Sequence, residues 1–348
     1  MRRSSELLKP LARRLARPGY FALADWPQIA PARILLVACH WIGDTLWAAQ
    51  VVPALSQRFP GARITAICKP QCVDLWNGLL PLADVMATTA VISDRTRERA
   101  SVWAISRLAR RLRGKFDLVI DLTGNRYSAL FSFLLRPRWS VGFDGGEVGW
   151  LYSHNVADAE RPGRHLGERP FRVIEPLLAG GGEAFAYRLP QPPQPACQPG
   201  QLIESLGLAG RPFAVVAPGA GWAAKRWSPE KFLDVAGRLV LAGWRVVLVG
   251  SKAEEYLCQR LSTGIDDAAV FCGRPLGQAI ALMGQARGVI ANDSGLGHLA
   301  AAMDRPTAVV FAGRTDPALC APLSRNAAVG IFTAEATPQE VAAFILNA

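Results

Sequence analysis

Arg33-Ile-Leu-Leu-Val-Ala-Cys-His-Trp-Ile-Gly-Asp44 is the stretch on which the reading of this chain turns. From Arg33 to Cys39 it is a near-continuous apolar run without polar alternation, which suits a strand of a parallel sheet covered on both faces. Gly43 then permits a tight turn and the close approach of a ligand. A helix pattern follows from Asp44 to about Arg58 and ends before Pro60-Gly61. Strand, glycine turn and helix make the repeating unit of a doubly wound α/β sheet. In such sheets ligands bind outside the carboxyl ends of the strands, so the residues just after each strand are the ones to inspect.

Working outward, the same alternation recurs. Strands are expected at Ile64–Cys68, Val85–Val91, Asp117–Thr123 and, briefly, Val141–Phe143, with a basic helix before Asp117. The proline-rich stretch from Leu189 to Gly200 breaks the pattern and reads as a semi-rigid linker. Beyond it, strands are expected at Phe213–Ala217, Arg245–Val249, Ala269–Phe271, Gly288–Ala291 and Thr307–Phe311. Ser228-Pro229-Glu230 opens a helix whose stripe is Phe232, Val235, Ala236, Leu239 and Val240, closed by Gly243. Thr337-Pro338-Gln339-Glu340 is a capping box that opens a last helix from Pro338 to Leu346. The expected domains are a basic arm (1–31), a Rossmann-like domain (32–188), a linker (189–211), a second Rossmann-like domain (212–335) and a C-terminal helix (336–348).

Composition narrows the function. The chain has 348 residues, half of them hydrophobic, and no apolar run approaches the roughly 20 residues that span a bilayer. The N-terminus has no signal-peptide apolar core, which points to the cytoplasm. Seven scattered cysteines and four histidines show no Cys-x-x-Cys and no ligand-like pair, which argues against a disulfide framework or a metal site. The net charge is +11. It concentrates in Met1–Arg17 and in Arg95–Lys115, where Arg107, Arg110, Arg111 and Arg113 accompany Trp103, Ile105, Leu108 and Leu112. These read either as solvated faces or as contacts with an anionic membrane surface. No nucleic-acid motif accompanies the charge.

Five segments carry candidate chemistry. His40-Trp41-Ile42-Gly43-Asp44 offers a carboxylate at a helix start, either a first-turn acid stabilised by the helix dipole or a general base. Pro218–Trp227 combines Gly219, Ala220 and Gly221 with Lys225 and Arg226, either an ordinary glycine turn with surface cations or a diphosphate cradle. Asn292-Asp293-Ser294-Gly295-Leu296-Gly297-His298 enters a helix and makes an anion site, with Asp293 as its alternative cap. Glu254, after the strand ending at Val249, is either a solvated acid at a helix start or placed to accept from a ribose hydroxyl. Asp121 and Asn125 end a strand in the first half. The absence of a Gly-x-Gly-x-x-Gly after the first strand argues against a dehydrogenase, and that of a Gly-x-Ser-x-Gly against an α/β-hydrolase.

Taken together, these loops with Val52-Pro-Ala-Leu55, Phe116–Gly124, Val141–Asp144 and Phe311–Pro317 resemble glycosyltransferase family 9, the ADP-heptose–lipopolysaccharide heptosyltransferases. The resemblance implies a GT-B fold, two Rossmann-like domains facing across a cleft, and inverting transfer with no covalent intermediate and no obligatory metal or cofactor. It makes Asp44 the general base. It assigns Lys225 to the donor phosphates, Glu254 to the ribose, and Asp293, Ser294, Gly295 and Leu296 to the diphosphate and sugar, with His298 on the same motif. Gly219, Ala220 and Arg226 fall on the donor side; His40, Trp41, Gly43, Asp121 and Asn125 fall on the acceptor side. The implied partners are a nucleotide sugar, ADP-heptose, and a lipid-linked or polysaccharide acceptor; the basic arm adds the expectation of peripheral contact at the inner face of the inner membrane, and the lack of a nucleic-acid motif that of no nucleic acid. The family usually has a Ser- or Arg-containing segment before Gly-Asp, where this chain has Cys39-His40-Trp41-Ile42. That departure leaves open another sugar, nucleotide or acceptor, including protein. A non-catalytic nucleotide-sugar binder and a GT-B sugar-nucleotide epimerase remain the alternatives outside transfer.

Overall fold

The structure is a computed structural model and describes residues 28–77, 82, 84–91, 101–144, 148–157, 164–178 and 197–348. Most of the expected basic arm, the Arg95–Arg99 start of the basic region and the linker prolines up to Pro195 lie outside the described residues. The chain divides into two compact units after Arg188.

The first unit runs β1 (Arg33–Ala38), α1 (Ile42–Ala49), α2 (Val51–Arg58), β2 (Arg63–Cys68), α3 (Val73–Asn77), β3 (Asp84–Ala87), α4 (Val102–Leu112), β4 (Leu118–Asp121), α5 (Arg126–Leu134), β5 (Trp139–Asp144), β6 (His154–Ala157) and α6 (Arg169–Ile174). Its strands form one sheet of order β3-β2-β1-β4-β5-β6, and every pairing is parallel. The apolar run of β1 is explained by burial on both faces. Ile34, Leu36 and Ala38 pack with α1, α2 and α6 residues such as Ala48, Leu55 and Phe171. Leu35, Val37 and Cys39 pack with Ile105 and Ala109 of α4 and Phe131 of α5.

The second unit adds α7 (Pro199–Ser205), β7 (Phe213–Ala217), α8 (Pro229–Leu241), β8 (Arg245–Gly250), α9 (Glu255–Ser262), β9 (Ala269–Cys272), α10 (Leu276–Gln285), β10 (Gly288–Asn292), α11 (Gly295–Ala302), β11 (Thr307–Phe311), α12 (Pro317–Cys320), β12 (Val329–Thr333) and α13 (Pro338–Asn347). Its order is β12-β11-β10-β7-β8-β9, the same topology as the first unit, again all parallel. Ser228 accepts from the Lys231 N–H and Pro229 takes the first helical position, as the sequence implies for α8. The capping box of α13 is formed. Its Ile345 packs so closely on β10 that a Cβ at Gly288 would lie 2.6 Å from Ile345 Cγ2.

Four local expectations are corrected. The helix expected over Asp44–Arg58 begins earlier, at Ile42, and is broken at Gln50, because Pro53 has no N–H to give the Ala49 carbonyl and its ring crowds the preceding turn. The strand expected over Val85–Val91 is only β3. A helix, α7, occupies part of the expected linker and packs on α10. Edge strands β6 and β12 were not expected; they are covered on fewer sides, so their sequences lack the continuous apolar run of a central strand.

Candidate functional site

Both sheets reverse their winding at one place, between β1 and β4 in the first unit and between β7 and β10 in the second. The crevice outside such a switch point is where doubly wound sheets bind ligands. The loops after β1, β4, β7 and β10 therefore hold most of the candidate residues, and Glu254 follows the neighbouring strand β8.

In the second unit the loops after β7 and β10 are fastened together by Asn292, which is fully buried. Its Oδ1 accepts from the Trp227 N–H at 2.8 Å, and its Nδ2 donates to the carbonyls of Pro218 at 2.7 Å and Gly219 at 3.3 Å. The Trp227 indole is itself anchored by donating to the Ala334 carbonyl at 3.1 Å. This staple holds Lys225 over Asp293, with Nζ 2.5 Å from Oδ2 and side-chain exposures of 28% and 6%. A carboxylate so enclosed needs its cation, since an unpaired buried charge is costly. Gly313, after β11, backs the turn: a Cβ there would lie 3.2 Å from the Ala224 carbonyl.

At the start of α11 the Ser294 Oγ is enclosed and has no hydrogen-bond partner among the described residues. It caps nothing, although Ser294 occupies the N-cap position. The first-turn N–H groups of Gly295, Leu296 and Gly297 have no intrahelical acceptors, so they and the helix dipole make the site receptive to an anion. His298 is buried in the same turn. Ala220 is buried and its carbonyl accepts from Arg226 Nη2 at 3.2 Å, while Arg226 itself is exposed.

Glu254 lies across the ends of β7 and β8. Its Oε2 accepts from the Ser251 N–H and Oγ, each at 2.7 Å. Its Oε1 stands only 1.9 Å from where a Cβ of residue 219 would be, and its Cβ is 3.0 Å from that of residue 250. Two glycines thus open the room this side chain uses. Gly219→Ala is expected to drive the Glu254 carboxylate off the Ser251 cap and lower stability by about 1 kcal/mol, the usual worth of a cap. Thermal melts should give Glu254→Ala a similar loss and the double variant no further one; additive losses would mean the two residues act separately.

In the first unit Asp44 is the third residue of α1 and half-buried. Gly43 is buried beside it. Trp41, the N-cap, has extended backbone and is 46% exposed. The His40 ring joins the two switch-point loops, its Nε2 donating to the Leu122 carbonyl at 2.8 Å. Sequence reasoning missed Lys69, a buried cation whose Nζ lies 4.0 Å above the Trp41 ring, a cation–π contact. Its signal was a lysine placed directly at the end of an apolar strand. Next to it, burial pushes the Cys72 thiol above its ordinary range, and its Sγ donates to the His40 carbonyl at 3.6 Å.

Two residues expected on the acceptor side are used internally. Asp121 is fully buried. Its Oδ1 accepts from the N–H groups of Thr123 at 2.8 Å and Gly124 at 3.1 Å, and its Oδ2 from the Tyr152 hydroxyl at 2.7 Å. Burial raises its carboxyl above the ordinary value despite these donors. Tyr152 reaches it only because Gly142 has no side chain: a Cβ there would lie 2.4 Å from the ring. Asn125 caps α5, its Oδ1 accepting from the Tyr127 and Ser128 N–H groups. Both residues thereby shape the loop after β4. Among the described residues no cluster of three or more His, Cys, Asp or Glu side chains could hold a metal.

The chain matches the family model of glycosyltransferase family 9 (heptosyltransferase) over residues 105–344. It is 28% identical over 315 residues to lipopolysaccharide heptosyltransferase 1 of Pseudomonas aeruginosa, covering 84% of this chain and 82% of that protein. It is 26% identical over 314 residues to lipooligosaccharide heptosyltransferase 2 of Haemophilus ducreyi, covering 85% and 88%. Among solved structures, that of E. coli ADP-heptose LPS heptosyltransferase II shares its fold with a TM-score of 0.75 at 24% identity, over 90% of this chain and 99% of that one. The twin parallel sheets are those of the GT-B fold. With a family match that spans well over half the chain and takes in the loops after β4, β7 and β10, the protein belongs to glycosyltransferase family 9, the heptosyltransferases.

Proposed function

We propose that this glycosyltransferase moves heptose from ADP-heptose to the inner core of lipopolysaccharide or a related lipid-linked acceptor, with inversion at the anomeric carbon. The observation that carries the donor half is the Lys225–Asp293 pair, set beside the unpartnered Ser294 Oγ and the α11 N-terminus. In this reading the acceptor hydroxyl attacks the anomeric carbon, Asp44 takes its proton, and the bond to the diphosphate breaks with its electrons on the departing ADP. Lys225 and the first-turn N–H groups of α11 stabilise that charge as it develops. Glu254 meets the ribose. Cys39-His40-Trp41-Ile42 and Lys69 border the acceptor. The names of the relatives, lipopolysaccharide and lipooligosaccharide heptosyltransferases, support the choice of sugar and acceptor. The basic arm of residues 1–31 keeps the enzyme beside the inner face of the inner membrane, where such an acceptor resides.

The test is acceptor-dependent release of ADP from ADP-heptose, with heptose-deficient lipopolysaccharide as acceptor. Release that requires both substrates supports the reading; a protein that binds ADP but turns over only another nucleotide sugar or acceptor overturns it. Lys225→Ala is expected to weaken ADP binding by about 10- to 100-fold, the worth of a charge-assisted hydrogen bond. Titration calorimetry with ADP measures this directly, and an unchanged affinity would remove Lys225 from the phosphate site.

A further inference from the structure

Helix α4 carries chemistry that the transfer reaction does not use. Its inner stripe, Ile105, Leu108, Ala109 and Leu112, packs into the core of the first unit. On a 3.6-residue helix, Trp103, Arg107 and Arg110 fall on the opposite ridge, with Arg111 beside it. Trp103 is 69% exposed and Val102 56%, and the Arg107 guanidinium stacks 5.4 Å from the Trp103 ring. From Ser101 to Lys115 the chain contains Arg107, Arg110, Arg111, Arg113 and Lys115 and not one carboxylate. None of the five cations pairs with an acid among the described residues. Solvated helix faces ordinarily mix the two signs of charge, and a tryptophan is seldom left this exposed without a partner.

We infer that the outer face of α4 is a docking surface for an anionic bilayer, with Trp103 at the headgroup level and the arginines against lipid phosphates. Charge complementarity selects a polyanion, and the exposed indole and valine among the cations select a surface with an apolar layer beneath its charge. Nucleic acid would reward the cations but leave Val102 without a partner, and no nucleic-acid motif accompanies them. The inference deepens the reading of peripheral membrane contact by naming a second surface, within the folded domain and apart from the arm.

The experiment is cosedimentation of the full chain with phosphatidylcholine vesicles, with and without phosphatidylglycerol, at low and raised salt. Wild type should bind only the anionic vesicles, and less at raised salt. Neutralising Arg107, Arg110 and Arg111 to Gln keeps good helix formers on the solvent side. It should cut partitioning by on the order of 100-fold, since each cation near such a surface contributes roughly 1 kcal/mol. Quenching by brominated lipid should be smaller in Trp103→Phe than in wild type. Binding by the Gln variant equal to wild type, or binding lost wholly on deleting residues 1–31 and untouched by the α4 changes, overturns the inference. So does a Gln variant that loses affinity for RNA but not for vesicles. Transfer to a delipidated core oligosaccharide should be unchanged in the Gln variant; if wild type fails that assay yet binds vesicles through α4, the transferase substrates are wrong and the docking surface stands.

Discussion

Asp44→Asn is expected to lower acceptor-dependent transfer by about 10²- to 10⁴-fold, the contribution of a positioned general base, and to leave ADP affinity unchanged. The amide is nearly isosteric, so the α1 turn keeps its shape, but it cannot take a proton. The effect belongs in kcat, because the acceptor hydroxyl loses its proton only on the way to the transition state. The fold should barely notice. Asp44 is a half-buried first-turn residue, and losing a carboxylate there costs about 0.3–1 kcal/mol through the helix dipole. Steady-state rates, an ADP titration and a thermal melt on one preparation separate the three quantities. Transfer at the wild-type rate would exclude Asp44 as the base; a loss shared equally by ADP binding would move it to the donor.

Asn292→Leu is expected to cost about 3–5 kcal/mol of stability and to weaken ADP binding more than tenfold. The leucine fills nearly the same volume but leaves the Trp227 N–H and the carbonyls of Pro218 and Gly219 without their partner, and each group left unsatisfied in the interior costs about 1–3 kcal/mol. The loop from Pro218 to Trp227 is then free to leave Asp293, taking Lys225 with it. Asn292→Asp should be no better. One oxygen can still accept from Trp227, but the other faces two carbonyls with a buried negative charge. Urea unfolding with and without ADP checks both variants. A stable Asn292→Leu protein of normal ADP affinity would show that the staple is dispensable and that Lys225 is positioned by Asp293 alone.

Much of the fold was legible along the chain. The central strands β1, β4, β7, β8, β10 and β11 are buried on both faces, so each wrote itself as an apolar run. Of the four edge strands, which pair on one side only, β9 was still legible at Ala269–Phe271, but β3 was read too long and β6 and β12 were missed. The candidate loops after β7 and β10 were legible as residue types after strands, glycine followed by cation or acid entering a helix. The partners of Asp121 were not legible. An acid at a strand end looks like a ligand group, and only Tyr152, admitted by the missing side chain of Gly142, turns it into an interior anchor.

The sequence by itself determined what periodicity and local hydrogen bonding can encode within about ten residues: alternation of strand and helix, the caps at Ser228 and Thr337, and the chemistry available after each strand. It could not determine which loops meet. Lys225 and Asp293 are 68 residues apart, and nothing local to either names the other. They come together because parallel strands need crossover connections, and the winding sets β10 beside β7 while β8 and β9 go to the other side. Once that order is fixed, Asn292 at the end of β10 stands against the turn after β7, and the cation, the carboxylate and the helix N-terminus converge on one site.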